Sequence, residues 1–286
     1  MNFVIFNPDE LRAESVGCYG HPLVQTPNMD RLAAEGVRFD QAHVQHTVCT
    51  PSRCSFMTGW YPHVRGHRTL WHCLRPEEPN LLKYLKQGGY EVAMFGKNDL
   101  LSPGSWDAGV DHLGSGKERS PHPSRVSEKD QPGYQNFLFE PKEGILDDLH
   151  DTDSVRLGID FLSNRDTSKP FCLFLPLSYP HCPYTTVQPY YDMYDPDRLP
   201  PLRPAGKGEP DFHRLIREYR RLDEMEPQYL RKVNAVYLGM ITALDAMLGR
   251  LLDALDEMNL ADETAIIFLS DHGDWAGDRG LVEKWP

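Results

Sequence analysis

Five segments of the chain gather side chains able to do metal, acid–base or nucleophilic chemistry. Asn7-Pro8-Asp9-Glu10, Gly96-Lys97-Asn98-Asp99, Ser178-Tyr179-Pro180-His181 and Ser270-Asp271-His272-Gly273 each follow a short apolar run, and His46 to Gly59 carries Cys49 and Arg53. The hard oxygen donors Asp9, Glu10 and Asp271, with His272, suit a divalent cation such as Ca²⁺ or Mg²⁺. Without Asp271-His272, the Asp9-Glu10 pair would read as two acids at a helix N-terminus. Lys97, Lys284 and Arg53 are the cations that a buried anionic substrate requires, although each taken singly reads as a surface charge. Pro51 in a first helical turn places Arg53 one turn beyond Cys49 on the same face. A cysteine at a helix N-terminus beside a guanidinium is expected to have a lowered pKa and to react as the thiolate.

These groups must be positioned by regular elements. Phe3–Phe6, Val92–Phe95, Phe171–Leu175 and Ala265–Leu269 are short, β-branched or aromatic, and lack alternation. Such runs read as strands buried on both faces. Helices are expected over Asn28–Glu35, Pro79–Gly88, Asp153–Asn164 and, most clearly, Val233–Met258, with a basic helix near Arg214–Lys232. Strands alternating with helices predict an α/β layer fold on a mostly parallel central sheet flanked by helices. Ligands of such sheets bind beyond the carboxyl ends of the strands, where four of the segments above arrive. Ser102–Gly144 and Pro183–Pro210 read as loops, which either shape substrate access or are plain solvated surface.

Bulk properties narrow the function classes. The chain has 286 residues, enough for one large α/β domain with a sizeable core. Thirty Lys+Arg against 42 Asp+Glu give a formal charge of −12, which argues against a general nucleic-acid partner. The apolar runs are short and interrupted, so no membrane association is expected. The N-terminus lacks the basic and apolar regions of a secretory signal, so a cytoplasmic location is the default, periplasmic or secreted if a signal was removed. Six cysteines without paired spacing indicate reduced thiols, with Cys49 set apart by its neighbours.

Cys49-Thr50-Pro51-Ser52-Arg53, followed by Thr58-Gly59, resembles the C-x-P-S-R signature of the sulfatase family of the alkaline-phosphatase superfamily. The other family segments arrive in order: Asp9-Glu10-Leu11-Arg12 with Gly17-Cys18-Tyr19-Gly20, then Thr26-Pro27-Asn28-Met29-Asp30-Arg31-Leu32, Gly96-Lys97, Pro180-His181-Cys182-Pro183, Ser270-Asp271-His272-Gly273 and Lys284. The resemblance implies an alkaline-phosphatase-like fold and a sulfuric ester hydrolase in which Cys49 is oxidised by a maturing enzyme to formylglycine. It implies that Asp9, Asp271 and His272 bind one metal, with Glu10 at the second acidic position and position 49 facing it. Ca²⁺ is favoured over Mg²⁺. It also implies that Arg53 steadies the formylglycine, that Lys97 and Lys284 hold sulfate, and that His181 lies near the leaving group.

Two positions depart from the family pattern. Glu10 stands where Asp, Gln or Asn is usual. Gly96-Lys97-Asn98-Asp99 replaces Gly-Lys-x-His, which makes Asp99 either the base that assists sulfate elimination or the cap of a turn. A Lys-x-Asp version is similar to some uronate 2-sulfatases. The expected activity is hydrolysis of a sulfate ester, of a small molecule or a sulfated carbohydrate or uronate. A phosphonate or phosphate diester hydrolase and a non-catalytic binder of sulfated ligands are the alternatives. Lys284 lies two residues from the end, so the chain (1–286) is expected to be a sulfatase N-terminal catalytic domain, incomplete at its C-terminus or completed by another polypeptide.

Overall fold

Apolar runs without alternation become strands when both faces of a sheet are covered, and most of this sheet is covered. The structure, a computed structural model, describes residues 1–116 and 137–284. It contains β1 (Asn2–Asp9), β2 (Glu91–Phe95), β3 (His112–Gly114), β4 (Phe171–Pro180) and β5 (Thr264–Phe268). They form one sheet in the order β3-β2-β4-β1-β5, with every pairing parallel. The central strand, β4, is buried along its whole length.

The helices are α1 (Pro27–Glu35), α2 (Cys49–Thr58), α3 (Leu81–Gln87), α4 (Trp106–Gly109), α5 (His150–Asn164), α6 (Asp211–Arg220) and α7 (Pro227–Glu257). Alternate strand residues feed two cores. Val4, Phe6, Ala93, Leu173 and Leu175 pack with α1, α5 and α7, whereas Ile5, Val92, Met94, Cys172 and Phe174 pack with α2 and α3. The chain is therefore an α/β sandwich of three layers, as the alternation of elements predicts.

Several expected elements differ in detail. The basic helix over Arg214–Lys232 is broken, because Arg221 takes a left-handed φ of 53° after α6, and Lys232 belongs to α7. α7 starts at Pro227 rather than Val233, with the proline in its first turn. The loop expected over Ser102–Gly144 holds α4 and β3, and its residues 117–136 lie outside the described residues. β5 is only half-buried, with Ile267 42% exposed, because it lies at the sheet edge among the described residues. Contrary to the expectation of short apolar runs only, α7 is long and apolar enough to cross a bilayer by length and composition. Its residues are instead mostly buried inside the fold.

Candidate active site

Parallel strands deliver their carboxyl ends to one edge, and four of the sequence segments meet there. β1 ends in Asp9 and runs into Glu10, β2 runs into Lys97, β4 into His181, and β5 into Asp271 and His272. α2 begins at the same edge with Cys49, and Arg53 follows one turn later; both are buried. Gly96 makes the turn out of β2 at a φ of 135°, where a Cβ would lie 2.2 Å from the Pro176 carbonyl oxygen. The Lys97 N–H donates to that same oxygen at 2.6 Å, so only glycine lets the Lys97 backbone approach β4 so closely.

Arg53 organises the two aspartates. Its Nε donates to Asp271 Oδ2 at 2.8 Å, its Nη2 lies 3.1 Å from Asp9 Oδ2, and its Nη1 donates to the Lys97 carbonyl at 3.1 Å. Lys97 also bonds Asp9 Oδ2, whereas Asp271 Oδ1 accepts from the N–H groups of Glu10 at 3.1 Å and His272 at 2.9 Å and lies 3.7 Å from His272 Nε2. Asp9 Oδ1 lies 3.3 Å from Cys49 Sγ and 3.5 Å from His272 Nε2, and His272 Nε2 lies 3.2 Å from Cys49 Sγ. The Nδ1 of His272 is 3.0 Å from the Gly273 carbonyl, which only an N–H can satisfy. Nε2 is then the bare nitrogen, turned towards two carboxylate oxygens. Asp9, Cys49, Asp271 and His272 bring one donor atom each within 4.8 Å of one another. Two carboxylates and an imidazole lone pair, converging with the thiol as the one proton donor among them, fit a divalent cation.

Glu10 does not join that group. Its carboxylate lies with His181 and Cys182, and Lys284 completes the set. Lys284 Nζ is 3.4 Å from Glu10 Oε1 and donates to His181 Nε2 at 2.7 Å, and His181 Nε2 is 3.5 Å from Glu10 Oε2. Glu10 Oε2 is buried and accepts no hydrogen bond among the described residues. The backbone of Glu10 is left-handed, with φ 69°, an unusual conformation for a residue with a side chain. The Tyr237 hydroxyl holds it there by donating to the Glu10 carbonyl at 2.7 Å.

The electrostatics follow from these contacts. Burial pushes the Asp9 carboxyl up, but the charges of Lys97 and Arg53 outweigh it and hold the group well below the usual carboxylate range. Burial, reinforced by Asp274, drives Glu10 well above that range against the pull of Lys284. Asp274 itself is pushed up to about 7 by burial. Burial lowers His181 well below the usual imidazole value, so it faces Lys284 as a neutral acceptor. Lys97 is raised because the Asp9 and Asp99 carboxylates overcome its burial.

The expected acidic thiol at Cys49 is not found. Burial and then the Asp9 carboxylate push it up, because the Arg53 guanidinium is engaged by the two aspartates. Asp99 lies in the site, with Oδ2 2.9 Å from Lys97 Nζ. The turn after Lys97 is capped by its neighbour: Asn98 Oδ1 accepts from the N–H groups of Leu100 at 3.3 Å and Leu101 at 2.9 Å.

Some contacts at the site are not evident from the motifs alone. Ser52 donates to the Asp271 carbonyl, locking α2 to the end of β5. Asp274 accepts from the Tyr184 hydroxyl at 2.9 Å. Cys182, flanked by His181 and Pro183, was a hint, but its partner Glu283 is distant in sequence. Beside Lys284 a cavity of about 220 Å³ is lined by Arg12, Thr47, Arg203, Trp275 and Asp278.

Comparison with known proteins gives a consistent picture. Residues 1–284 match the family model described as Sulfatase. The chain is 30% identical to human iduronate 2-sulfatase, covering all of this chain and 57% of that protein. It is 26% identical to an N-acetylglucosamine-6-O-sulfatase of Bacteroides thetaiotaomicron, covering 99% of this chain and 60% of that protein. In structure it is similar to a phosphonate monoester hydrolase of Agrobacterium radiobacter, with a TM-score of 0.78 at 23% identity, over the whole of this chain and 65% of that one. The chain thus spans about three fifths of the length of these curated relatives.

Proposed function

The chain belongs to the sulfatase family, and on that premise we propose that it hydrolyses a sulfate ester at the cluster around position 49. The observation that carries this reading is the convergence of Asp9 Oδ1, Asp271 Oδ1, His272 Nε2 and Cys49 Sγ, backed by Arg53 and Lys97. In this reading Asp9, Asp271, His272 and position 49 hold one divalent cation. Glu10 adds its carboxylate to that set once its contact with Lys284 is given up. A site rich in hard oxygen donors favours Ca²⁺ over the smaller, more demanding Mg²⁺. The formylglycine made from Cys49 supplies a hydroxyl nucleophile, and the cation supplies Lewis-acid polarisation of the sulfate oxygens.

The remaining work falls to residues whose contacts are described above. Arg53 fixes both aspartates through their Oδ2 atoms. Lys97 and Lys284 place positive charge beside the sulfate oxygens as negative charge shifts onto the departing oxygen. The Lys284–His181 pair holds the proton for that oxygen. Asp99, already bonded to Lys97, accepts the proton released when sulfate leaves. The cavity beside Lys284 receives the alcohol part of the ester. Two relatives are named for removing sulfate from a saccharide, which makes a sulfated sugar or uronate the substrate class to test first.

The experiment uses protein produced together with a formylglycine-generating enzyme. Sulfated sugars, aryl sulfates and a phosphonate monoester are assayed in parallel, with Cys49→Ala as control. Turnover of a sulfate ester that disappears in Cys49→Ala supports the reading. Turnover of the phosphonate alone would transfer the chain to the phosphonate hydrolases. Binding of sulfated sugars without turnover by matured protein would make it a non-catalytic member.

A further inference from the structure

Behind the Lys284–His181 pair lies a closed ring of contacts that draws in Glu283 and Arg220, which the sulfatase segments do not include. Lys284 Nζ donates to His181 Nε2 at 2.7 Å. With Nε2 occupied as an acceptor, the proton of the neutral ring sits on Nδ1, which donates to the Cys182 carbonyl. The Cys182 thiol donates to Glu283 Oε1 at 3.0 Å, and Glu283 is the residue before Lys284, so the ring closes. The other carboxylate oxygen of Glu283 is paired with Arg220 of α6. Arg220 Nη1 also donates to the Val282 carbonyl at 3.3 Å.

All the charged members are withdrawn from solvent: the side chains of Arg220, Glu283 and Lys284 are 7%, 8% and 5% exposed. Two further bonds hold the backbone of Glu283. Its N–H donates to the Tyr184 hydroxyl at 2.7 Å, and its carbonyl accepts from Trp275 N–H at 3.0 Å. These bonds fix a left-handed φ of 63°, which a residue with a side chain adopts only where its surroundings impose it. A buried ion pair is a costly way to gain stability alone, so its retention beside two reactive side chains calls for another role.

We propose that Glu283 is a positioning residue: gripped by Arg220 and by the Cys182 thiol, it holds the Lys284 amine against His181 so that the pair delivers its proton along one line. This rests on the sulfate-ester reading above. In that step the S–O bond to the alcohol breaks with its electron pair going to oxygen. An N–H bond of the pair breaks as the new O–H forms, and the donor is left with the electron pair of that bond. Misplacing the donor slows this step most when the leaving oxygen is strongly basic, because a good leaving group departs without a proton.

The test compares an alkyl sulfate with 4-nitrophenyl sulfate on matured protein, for Glu283→Gln, Cys182→Ala and Cys182→Ser. Glu283→Gln should lower kcat for the alkyl sulfate by about 10- to 100-fold and leave 4-nitrophenyl sulfate within about 3-fold. Cys182→Ala should show the same asymmetry to a smaller extent, and Cys182→Ser, which restores a donor, should recover it. Equal losses on both substrates would reduce Glu283 to a purely structural role and overturn the proposal. If Glu283→Gln fails to fold, the Cys182 pair of variants decides. If the wild type turns over neither sulfate, the functional reading fails separately. The crystal structure of Cys182→Ala then decides: a Lys284–His181 contact that persists unchanged overturns the positioning role, and its loss supports it.

Discussion

Cys49 and Arg53 show how far a motif carries at the level of single residues. Their spacing alone places both on one helical face, and the structure buries them together. The acidity of the thiol was not legible, because it depends on where the guanidinium donors go, and they go to Asp9 and Asp271. A protonated, buried thiol is a poor nucleophile, which fits the proposal that Cys49 is modified before it reacts. Mass spectrometry of the Cys49 peptide from co-expressed protein should therefore show an aldehyde, and Cys49→Ala should lose about 10³-fold or more in kcat. Asp99, two residues beyond Lys97, was legible both as a candidate and as a group able to pair with Lys97, and its carboxylate lies 2.9 Å from the Lys97 amine. With Asn98 taking the capping bonds, Asp99→Asn should cost little thermal stability. If Asp99 is the base, the variant should release a burst of alcohol and then turn over slowly. Unchanged steady-state turnover would remove Asp99 from the mechanism.

Among the elements, the strands with continuous apolar runs and the helices with clear periodicity were legible, since burial on both faces or on one stripe leaves a mark in sequence. The three-residue β3 and the break between α6 and α7 were not, because one is too short for a pattern and the other turns on the φ of Arg221. Two predictions belong here. Gly96→Ala should disturb the exit of β2, since its Cβ would meet the Pro176 carbonyl at 2.2 Å, and Lys97 would move away from Asp9. Activity should fall at least 10-fold even in protein that folds, whereas a wild-type rate would show that the backbone yields there. Asp245 of α7 caps α1, accepting from Met29 N–H at 2.8 Å and from Asn28 N–H at 3.2 Å. Asp245→Ala should cost about 1–2 kcal/mol in urea unfolding and leave kcat of the folded fraction unchanged.

For the molecule as a whole, the candidate cation site ties together the two ends of the described chain. Asp9 ends the first strand and Glu10 follows it, and Asp271, His272 and Lys284 come from the last fifteen described residues. Such long-range closure is invisible in any one segment, although the order of the motifs points to it. Bonds from the Glu10 N–H to Asp271 Oδ1 at 3.1 Å and from Lys284 to Glu10 at 3.4 Å span this closure. Two carboxylates and a bare imidazole nitrogen converge there, and a bound cation would relieve the repulsion between the carboxylates in the folded state alone. Anything that binds only the folded state stabilises it by mass action, by about 2.7 kcal/mol when free ligand exceeds its Kd by 100-fold. In a domain of this size that corresponds to a rise in Tm of roughly 4–5 °C. Chelation followed by desalting should therefore lower Tm by that order, and Ca²⁺ should restore it more fully than Mg²⁺ at equal concentration. Asp271→Asn should abolish the response to either ion. If Tm is the same before chelation, after it and with each ion added back, the four converging donors do not hold a cation, and Lys97 and Arg53 alone balance the aspartates.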